Sequence, residues 1–207
     1  MSDKAKTRNY HHGDLRKALL VAAEAELTEK GVEGFTLRGC AKRAGVSHAA
    51  PAHHFKDAGA LLAALVTEGF ERFTAAMRKR QKEETTARGR VIGAGLGYLD
   101  FALANPALFG LMFSSARPNP DDAALKAAGT SAFSVLLDAI RDLDGADPEN
   151  DPDAMLDVAV AWSGVHGLSH LLLSGRLLFL ERIADGDLAA VHAEVIRRLL
   201  PKGPGAT

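Results

Sequence analysis

The stretch FTLRGCAKRAGVSHAAPAHHFKD, residues 35–57, decides the fold of the N-terminal part of the chain. Thr36 is a suitable N-cap for a short helix over LRGCAKRA, and Gly45 then breaks that helix. Ser47 follows two residues later and can cap a second helix, whose first turn contains Pro51. The order of helix, tight glycine turn and helix predicts a helix-turn-helix in which the second helix begins at Ser47.

Three histidines, His48, His53 and His54, stand in the predicted second helix. Their spacing lacks the i, i+4 pair of a helical metal chelate, and no acidic residue lies among them. In a helix-turn-helix the second helix enters the DNA major groove, so we interpret this segment as a surface that donates hydrogen bonds to DNA. The predicted DNA-binding residues are Arg8, Thr36, Arg38, Lys42, Arg43, Ser47, His48, Ala49, Pro51, His53, His54 and Lys56.

The charges of the chain are unevenly distributed although the formal net charge is only −1. Residues 4–56 contain ten basic and five acidic side chains, whereas residues 121–157 contain two basic and ten acidic ones. This asymmetry favours a polyanionic partner, double-stranded DNA, for the N-terminal part. Two solvated faces of opposite sign are the alternative explanation.

The composition predicts an all-α protein. Hydrophobic residues make up 47% of the 207 residues, and alanine and leucine dominate over β-branched and aromatic types. This length allows a small domain joined to a larger one. We predict an N-terminal helix-turn-helix domain with a basic arm over residues 1–58, and a helical ligand-binding and dimerisation domain over residues 59–207. The first helix is expected over residues 14–30, ended by Gly31.

The chain is expected to be cytoplasmic and to make no contact with a membrane. Cys40 is the lone cysteine, on the apolar face of its predicted helix, and the N-terminus has no apolar signal region. Residues 158–175 carry no formal charge and approach the length of a membrane span. They include His166, His170, three serines and three glycines, so a buried helix shared between subunits is the better interpretation. That helix is predicted to run from residue 152 to residue 183.

A glycine-rich segment, VIGAGLGYLD at residues 91–100, resembles a dinucleotide-binding loop only superficially. Its third glycine, Gly97, comes one residue early for GxGxxG, and no strand precedes it. We therefore expect no cofactor. Gly93, Gly95 and Gly97 are expected to allow close helix packing or to open space for a ligand.

Aromatic and polar side chains of the C-terminal part are candidates for a cavity that binds a small apolar effector. The predicted ligand-binding residues are Phe101, Phe109, Met112, Phe113, Phe133, Trp162, His166 and His170. A plain hydrophobic core explains the same aromatic pattern equally well. His166 and His170 are four residues apart, the spacing of a helical metal pair, which keeps a helical enzyme as an alternative. No third ligand, acid or nucleophile stands at catalytic spacing, so we predict no catalytic residues and no bound metal.

The residues 35–57, with the apolar helix ALLAALVTEGFERF after them, resemble the DNA-binding domain of the TetR family of bacterial transcriptional repressors. YHHGDLRKALL near the start and AWSGVHGL, with Trp162, His166 and Gly167, are similar to one subgroup of that family. The resemblance implies a homodimer formed by the last two helices. The sequence itself predicts Asp187 as the N-cap of the final helix. The predicted dimerisation residues are Gly164, Gly167, Leu171, Val191, Val195 and Leu199.

The resemblance implies a repressor that binds a palindromic operator and is released by its effector. Two positions depart from the family pattern. Ala52 stands where the family usually has Tyr, and Ala58 stands where it usually has Lys; both side chains tend to contact phosphates in the family. A TetR-like protein that has lost operator binding is therefore a further alternative.

Overall fold

The computed structural model describes residues 12–200, and within that range the chain is helical with no strand. The all-α prediction is confirmed. The helices are α1 (His12–Gly34), α2 (Leu37–Arg43), α3 (Ala58–Lys82), α4 (Ala87–Ala104), α5 (Pro106–Ser114), α6 (Ala123–Asp144), α7 (Pro152–Leu173), α8 (Phe179–Ile183) and α9 (Leu188–Leu199). A 3-10 turn, Ala50–His53, lies between α2 and α3.

Gly31 interrupts the first helix at its predicted end. The backbone of Gly31 has a φ of 66°, outside the helical range, so the range His12–Gly34 of α1 joins two helical pieces across a kink at this residue. The Thr36 hydroxyl accepts a hydrogen bond from the Gly39 amide at 3.0 Å, which confirms the predicted N-cap of α2. Cys40 is fully buried, as expected for a small apolar side chain on the inner face of α2.

The predicted regular helix beginning at Ser47 is wrong. The segment forms the 3-10 turn Ala50–His53, whose N-cap is Ala49 and which has no side-chain cap. Its amides bond three residues back, as from Ala50 to Ser47 and from Ala52 to Ala49. Pro51 has no N–H to donate to the Ser47 carbonyl, so the first α-helical hydrogen bond of the predicted helix cannot form.

Helix α3 packs closely along α4 because two glycines of α4 leave no side chain between them. A Cβ at Gly97 would lie 2.4 Å from the Ala76 carbonyl oxygen, and one at Gly93 would lie 2.8 Å from that of Arg80. The predicted role of these glycines in close helix packing is confirmed. Asn105 and Pro106 end α4 and begin α5, as the sequence predicts.

The predicted single helix over residues 152–183 is also wrong. Helix α7 ends at Leu173, and the chain turns through Gly175, which has a φ of 69°, before the short helix α8. A left-handed glycine after the last turn is a common helix end, and the uninterrupted apolar pattern hid it. Asp187 caps α9 by accepting from the Ala190 amide at 2.9 Å, as predicted.

One hydrophobic core joins the N-terminal helices to the C-terminal ones. Leu19 of α1, Leu62 of α3 and Phe109 of α5 are fully buried members of the same cluster. The predicted domain boundary after residue 58 falls at the first residue of α3 and remains a prediction. A change in the packing of α5 can therefore reach α1 through contiguous side chains.

Two helices of the described chain, over residues 123–143 and 152–173, are long and apolar enough to cross a membrane by length and composition alone. The bent pair of α4 and α5 would be a third if it formed one broken span. Within the protomer only 28% of the most apolar window of α7 is buried, so much of its apolar surface is uncovered.

Candidate DNA-binding surface and ligand cavity

The helix-turn-helix presents most of the predicted DNA-binding side chains on one exposed surface. Gly45, with a φ of 67°, makes the turn between α2 and the 3-10 turn. The exposed members are Thr36, Arg38, Lys42, Arg43, Ser47, His48, Ala49, His53 and Lys56, whereas His54 is half-buried. Pro51 is buried against the domain and supports the turn from beneath. Arg8 lies outside the described residues.

Arg43 is tied to α1 by ion pairs. Its guanidinium donates to Glu26, which is buried, and to Glu29. Hydrogen bonds from Lys30 and Arg43 lower the pKa of Glu29 to about 2. The same two carboxylates, Glu26 first, raise the pKa of Arg43. The geometry assigns the Arg43 side chain to the joint between α1 and α2.

The residues that follow the turn are anchored on both sides. Phe55 is buried, and the Arg16 guanidinium lies 5.6 Å from the centre of its ring. The Asp57 carboxylate accepts a hydrogen bond from the Ala60 amide at 2.8 Å and caps α3. Ala52 is exposed on the turn, and Ala58 is the first residue of α3. Both positions where the family pattern has a phosphate-contacting residue therefore lie at this surface.

A cavity of about 370 Å³ lies within the C-terminal helices, a size typical of small-molecule sites. Helices α3, α4, α5, α6, α7 and α9, together with Leu200, contribute to its wall. The lining residues are Phe70, Phe73, Met77, Val91, Ala94, Gly95, Tyr98, Phe113, Gly129, Ala132, Phe133, Leu136, Ala161, Trp162, Val165, Ile196, Leu199 and Leu200. None of these side chains carries a formal charge.

Three of the eight predicted ligand-binding residues line this cavity: Phe113, Phe133 and Trp162. The other five, Phe101, Phe109, Met112, His166 and His170, lie outside its wall. Phe101 and Phe109 are buried in the main core, and Met112 packs against Gly69.

The two predicted histidines lie next to each other outside the cavity wall. The rings of His166 and His170 are 4.6 Å apart, and the His166 ring lies 5.2 Å from that of Phe113. No group of three or more potential metal ligands occurs among residues 12–200. Burial, with a contribution from His170, lowers the pKa of His166, which favours the neutral imidazole near pH 7.

Sequence reasoning missed Tyr98, which lines the cavity and contacts His166 outside it. Its hydroxyl lies 2.6 Å from His166 Nδ1, and the side chain is 4% exposed. Burial raises the pKa of Tyr98. The glycine-rich segment was the available signal, since Gly95 lines the same cavity three residues earlier along the same helix.

The loop between α5 and α6, residues 115–122, contacts the helix-turn-helix directly. The Arg117 guanidinium donates to the backbone carbonyl of Val32, near the end of α1, and to that of Phe35, just after α1. The Asn119 amide donates to the carbonyl of Gly59 in the first turn of α3 at 3.3 Å. A cavity-lining residue, Phe113 of α5, therefore lies four residues from a side chain that holds the DNA-binding part.

The predicted dimerisation residues divide between the interior and the surface. Gly164 packs against Leu199 of the same chain, and Leu199 also lines the cavity. Val191 and Val195 are half-buried. The remaining two, Gly167 and Leu171, lie at the surface: a Cβ at Gly167 would meet nothing within 4 Å, and Leu171 is 42% exposed.

An apolar stripe on α7 extends beyond the predicted positions. Leu156 and Val160 are 62% and 54% exposed, and they precede Gly167 and Leu171 at helical spacing. Further exposed apolar side chains follow at Leu178, Phe179 and Ile183.

The family of the chain follows from its matches to known proteins. Residues 91–199 match the model of the tetracyclin repressor-like C-terminal domain, and residues 19–65 match that of the tetR family of bacterial regulatory proteins. No sequence among curated proteins matches.

Solved structures agree with both family models. A protein of unknown function from Rhodococcus sp. RHA1 is 34% identical over 94% of this chain and 100% of its own, with a TM-score of 0.74. The TetR family regulator PfmR from Thermus thermophilus is 18% identical over 91% and 99%, with a TM-score of 0.64. FadR from Bacillus subtilis, in complex with stearoyl-CoA, is 20% identical over 89% and 97%, with a TM-score of 0.58. The C-terminal family match alone spans more than half of the 207 residues, and the chain belongs to the TetR family of bacterial transcriptional regulators.

Proposed function

We propose that this regulator is a cytoplasmic homodimeric repressor that binds a palindromic operator and leaves it when a small apolar effector fills the cavity. The observation that carries the proposal is the coexistence, in one chain, of an exposed basic helix-turn-helix and an uncharged cavity joined by shared packing. The pattern of Trp162, His166 and Gly167 supports membership of the subgroup of the family that carries this motif. No catalytic step is needed for this role.

The DNA-binding surface combines side chains of two kinds. Lys42 and Lys56 are exposed cations suited to phosphates. His48, just before the 3-10 turn, and His53, at its end, are exposed and have ring nitrogens that can contact bases. Phosphate contacts release counterions, so operator affinity should fall steeply with salt. Base contacts should make it depend on sequence.

The exposed stripe on α7 supports a dimer of two such chains. Leu156, Val160, Gly167 and Leu171 form an uncovered apolar surface on a helix that borders α9. Packing against the same stripe of a second copy would cover it around a two-fold axis. Such an axis would place two helix-turn-helix surfaces on the two halves of a palindrome.

A fluorescence-anisotropy titration with DNA from upstream of the gene tests operator binding. We expect sequence-selective and salt-sensitive binding, which the variants His53→Ala and Lys56→Ala weaken. Lys126→Ala serves as the control, because Lys126 is exposed on α6 and pairs with Asp121 far along the chain from the turn. Equal affinity for scrambled DNA, or variants that bind like the control, would overturn the proposed operator contacts.

The second candidate function is regulation by protein contacts without operator binding, and Ala52 and Ala58 favour it. Both stand at the DNA-facing surface with side chains too short to reach a phosphate. The double variant Ala52→Tyr and Ala58→Lys tests this candidate in the same titration. If the native chain does not bind and the variant does, the second candidate holds; native operator binding contradicts it.

A further inference from the structure

The residues that line the cavity restrict which chemical groups a ligand can carry into it. Eighteen residues line it, and among these described residues only Tyr98 and Trp162 carry a side-chain oxygen or nitrogen. A charged ligand group buried there would lose its hydration without gaining an ionic partner. The wall therefore disfavours carboxylates, phosphates and ammonium groups as ligand parts that enter the cavity.

The two polar side chains of the wall lie together. Tyr98 on α4 contacts α7 through its hydroxyl, which lies 2.6 Å from His166 Nδ1. Trp162 stands one turn earlier on α7 than His166 and lines the same cavity. The only side-chain hydrogen-bonding groups of the wall are thus gathered at one place, while the described remainder of the wall is apolar.

The Tyr98 hydroxyl can serve a ligand in either of two ways. If His166 Nδ1 accepts the Tyr98 proton, the phenolic oxygen retains a lone pair for a donor. If His166 Nδ1 carries a proton, Tyr98 keeps its own proton for an acceptor. A ligand hydroxyl both donates and accepts, so it pairs with Tyr98 in both tautomers, whereas a carbonyl oxygen only accepts and suits one of them.

We propose that the effector is a neutral, mainly apolar alcohol or phenol whose hydroxyl binds Tyr98 while its hydrocarbon part fills the space between Phe73, Phe133 and Leu136. This inference rests on the proposed ligand role of the cavity. The volume of about 370 Å³ has room for roughly a dozen water-sized groups, so the ligand is small. Tyr98 is the specificity-determining residue, and His166 holds its hydroxyl in position.

Calorimetric titration of the full chain without DNA tests the proposal with three probes of one shape: 4-propylphenol, propylbenzene and 4-propylbenzoate. Propylbenzene is the most apolar neutral probe and would bind best in a cavity without a polar partner. We expect the phenol to bind more tightly than propylbenzene, and the benzoate to bind weakest. A benzoate affinity equal to that of the phenol, or the absence of binding by every probe, would overturn the proposal.

The variant Tyr98→Phe removes only the hydroxyl. It should weaken 4-propylphenol roughly five- to tenfold, the range of one lost hydrogen bond, and leave propylbenzene within about twofold. Phe133→Leu is the matched control, because it shortens an apolar wall residue and should weaken both neutral probes alike. An unchanged phenol affinity in Tyr98→Phe would refute the role of Tyr98.

Two further measurements keep the outcomes distinct. Circular dichroism at rising temperature checks that Tyr98→Phe folds, and the three-probe comparison on the native chain stands without any variant. Because no DNA is present, a chain that binds the phenol but no operator supports this inference while overturning the repressor proposal. A chain that binds operator but binds propylbenzene more tightly than the phenol supports operator binding and overturns this inference.

Discussion

Arg43 is, at the residue scale, a predicted DNA-binding side chain that also connects two helices. Its contact with DNA remains a prediction, and the structure places its guanidinium on Glu26 and Glu29. Arg43→Ala would leave the buried Glu26 carboxylate without its partner. We expect the free energy of unfolding to fall by about 1–3 kcal/mol, measured by urea titration.

Lys42 provides the comparison for this prediction, since it is adjacent, exposed and equally basic. Lys42→Ala should change the free energy of unfolding by less than about 0.5 kcal/mol and should weaken operator binding instead. Equal stability losses in both variants would contradict the structural role of Arg43.

Single residues of the cavity were only partly predictable. Phe113, Phe133 and Trp162 were expected and line it, whereas Tyr98 and Phe73 were not recognised. An apolar residue at helical spacing faces inward whether it meets another side chain or an empty space, so periodicity cannot separate wall from core. That distinction depends on how several helices are arranged in three dimensions.

At the scale of elements, the predictions succeeded where helix ends depend on local chemistry. Thr36 and Asp187 were identified as N-caps because a side-chain oxygen three residues before a free amide suffices. They failed at Pro51, whose missing N–H favoured a 3-10 turn, and at Gly175, whose left-handed backbone interrupts an apolar run. Both failures concern backbone geometry that hydrophobic periodicity does not reveal.

The contact between α3 and α4 depends on Gly97. A Cβ there would lie 2.4 Å from the Ala76 carbonyl oxygen and 2.6 Å from Met77 Cα, so the two backbones would have to separate. We expect Gly97→Ala to destabilise the chain by about 1–3 kcal/mol, the usual cost of overpacking, in thermal or urea unfolding.

Gly110 of α5 is the matched position for this test, because a Cβ there would meet nothing within 4 Å. Gly110→Ala should be neutral or stabilising by up to about 1 kcal/mol, since alanine favours the helix. If Gly97→Ala proved as harmless as Gly110→Ala, the close packing of α3 on α4 would be refuted.

At the scale of the whole molecule, the uncovered stripe of α7 predicts how the chain associates. A carboxylate in the middle of a self-packed apolar interface would be buried without a partner. Leu156→Glu should therefore convert the proposed dimer to monomers in sedimentation velocity. Val21→Glu is the control, because Val21 is 64% exposed on α1, a helix of the N-terminal part. A Leu156→Glu chain that sediments like the native one would place the interface elsewhere.

Communication between the two proposed binding sites is a property of the entire chain, and the α5–α6 loop offers its shortest physical connection. Phe113 lines the cavity, and Arg117 donates to the carbonyls of Val32, near the end of α1, and Phe35, just after it. A ligand that shifts α5 would move this contact, and reciprocity requires that operator binding weaken ligand binding by the same factor.

We expect Arg117→Ala to keep both affinities within about threefold when each partner is titrated alone, because the residue lies in neither site. The factor by which 4-propylphenol weakens operator affinity should fall at least about threefold, measured by anisotropy with and without the probe. Arg198→Ala is the matched arginine control and should leave that factor unchanged, because Arg198 is exposed and pairs with Glu194 of its own helix, α9. An Arg117→Ala chain that responds to the probe like the native chain would show that coupling runs through α3, which joins cavity and helix-turn-helix without the loop.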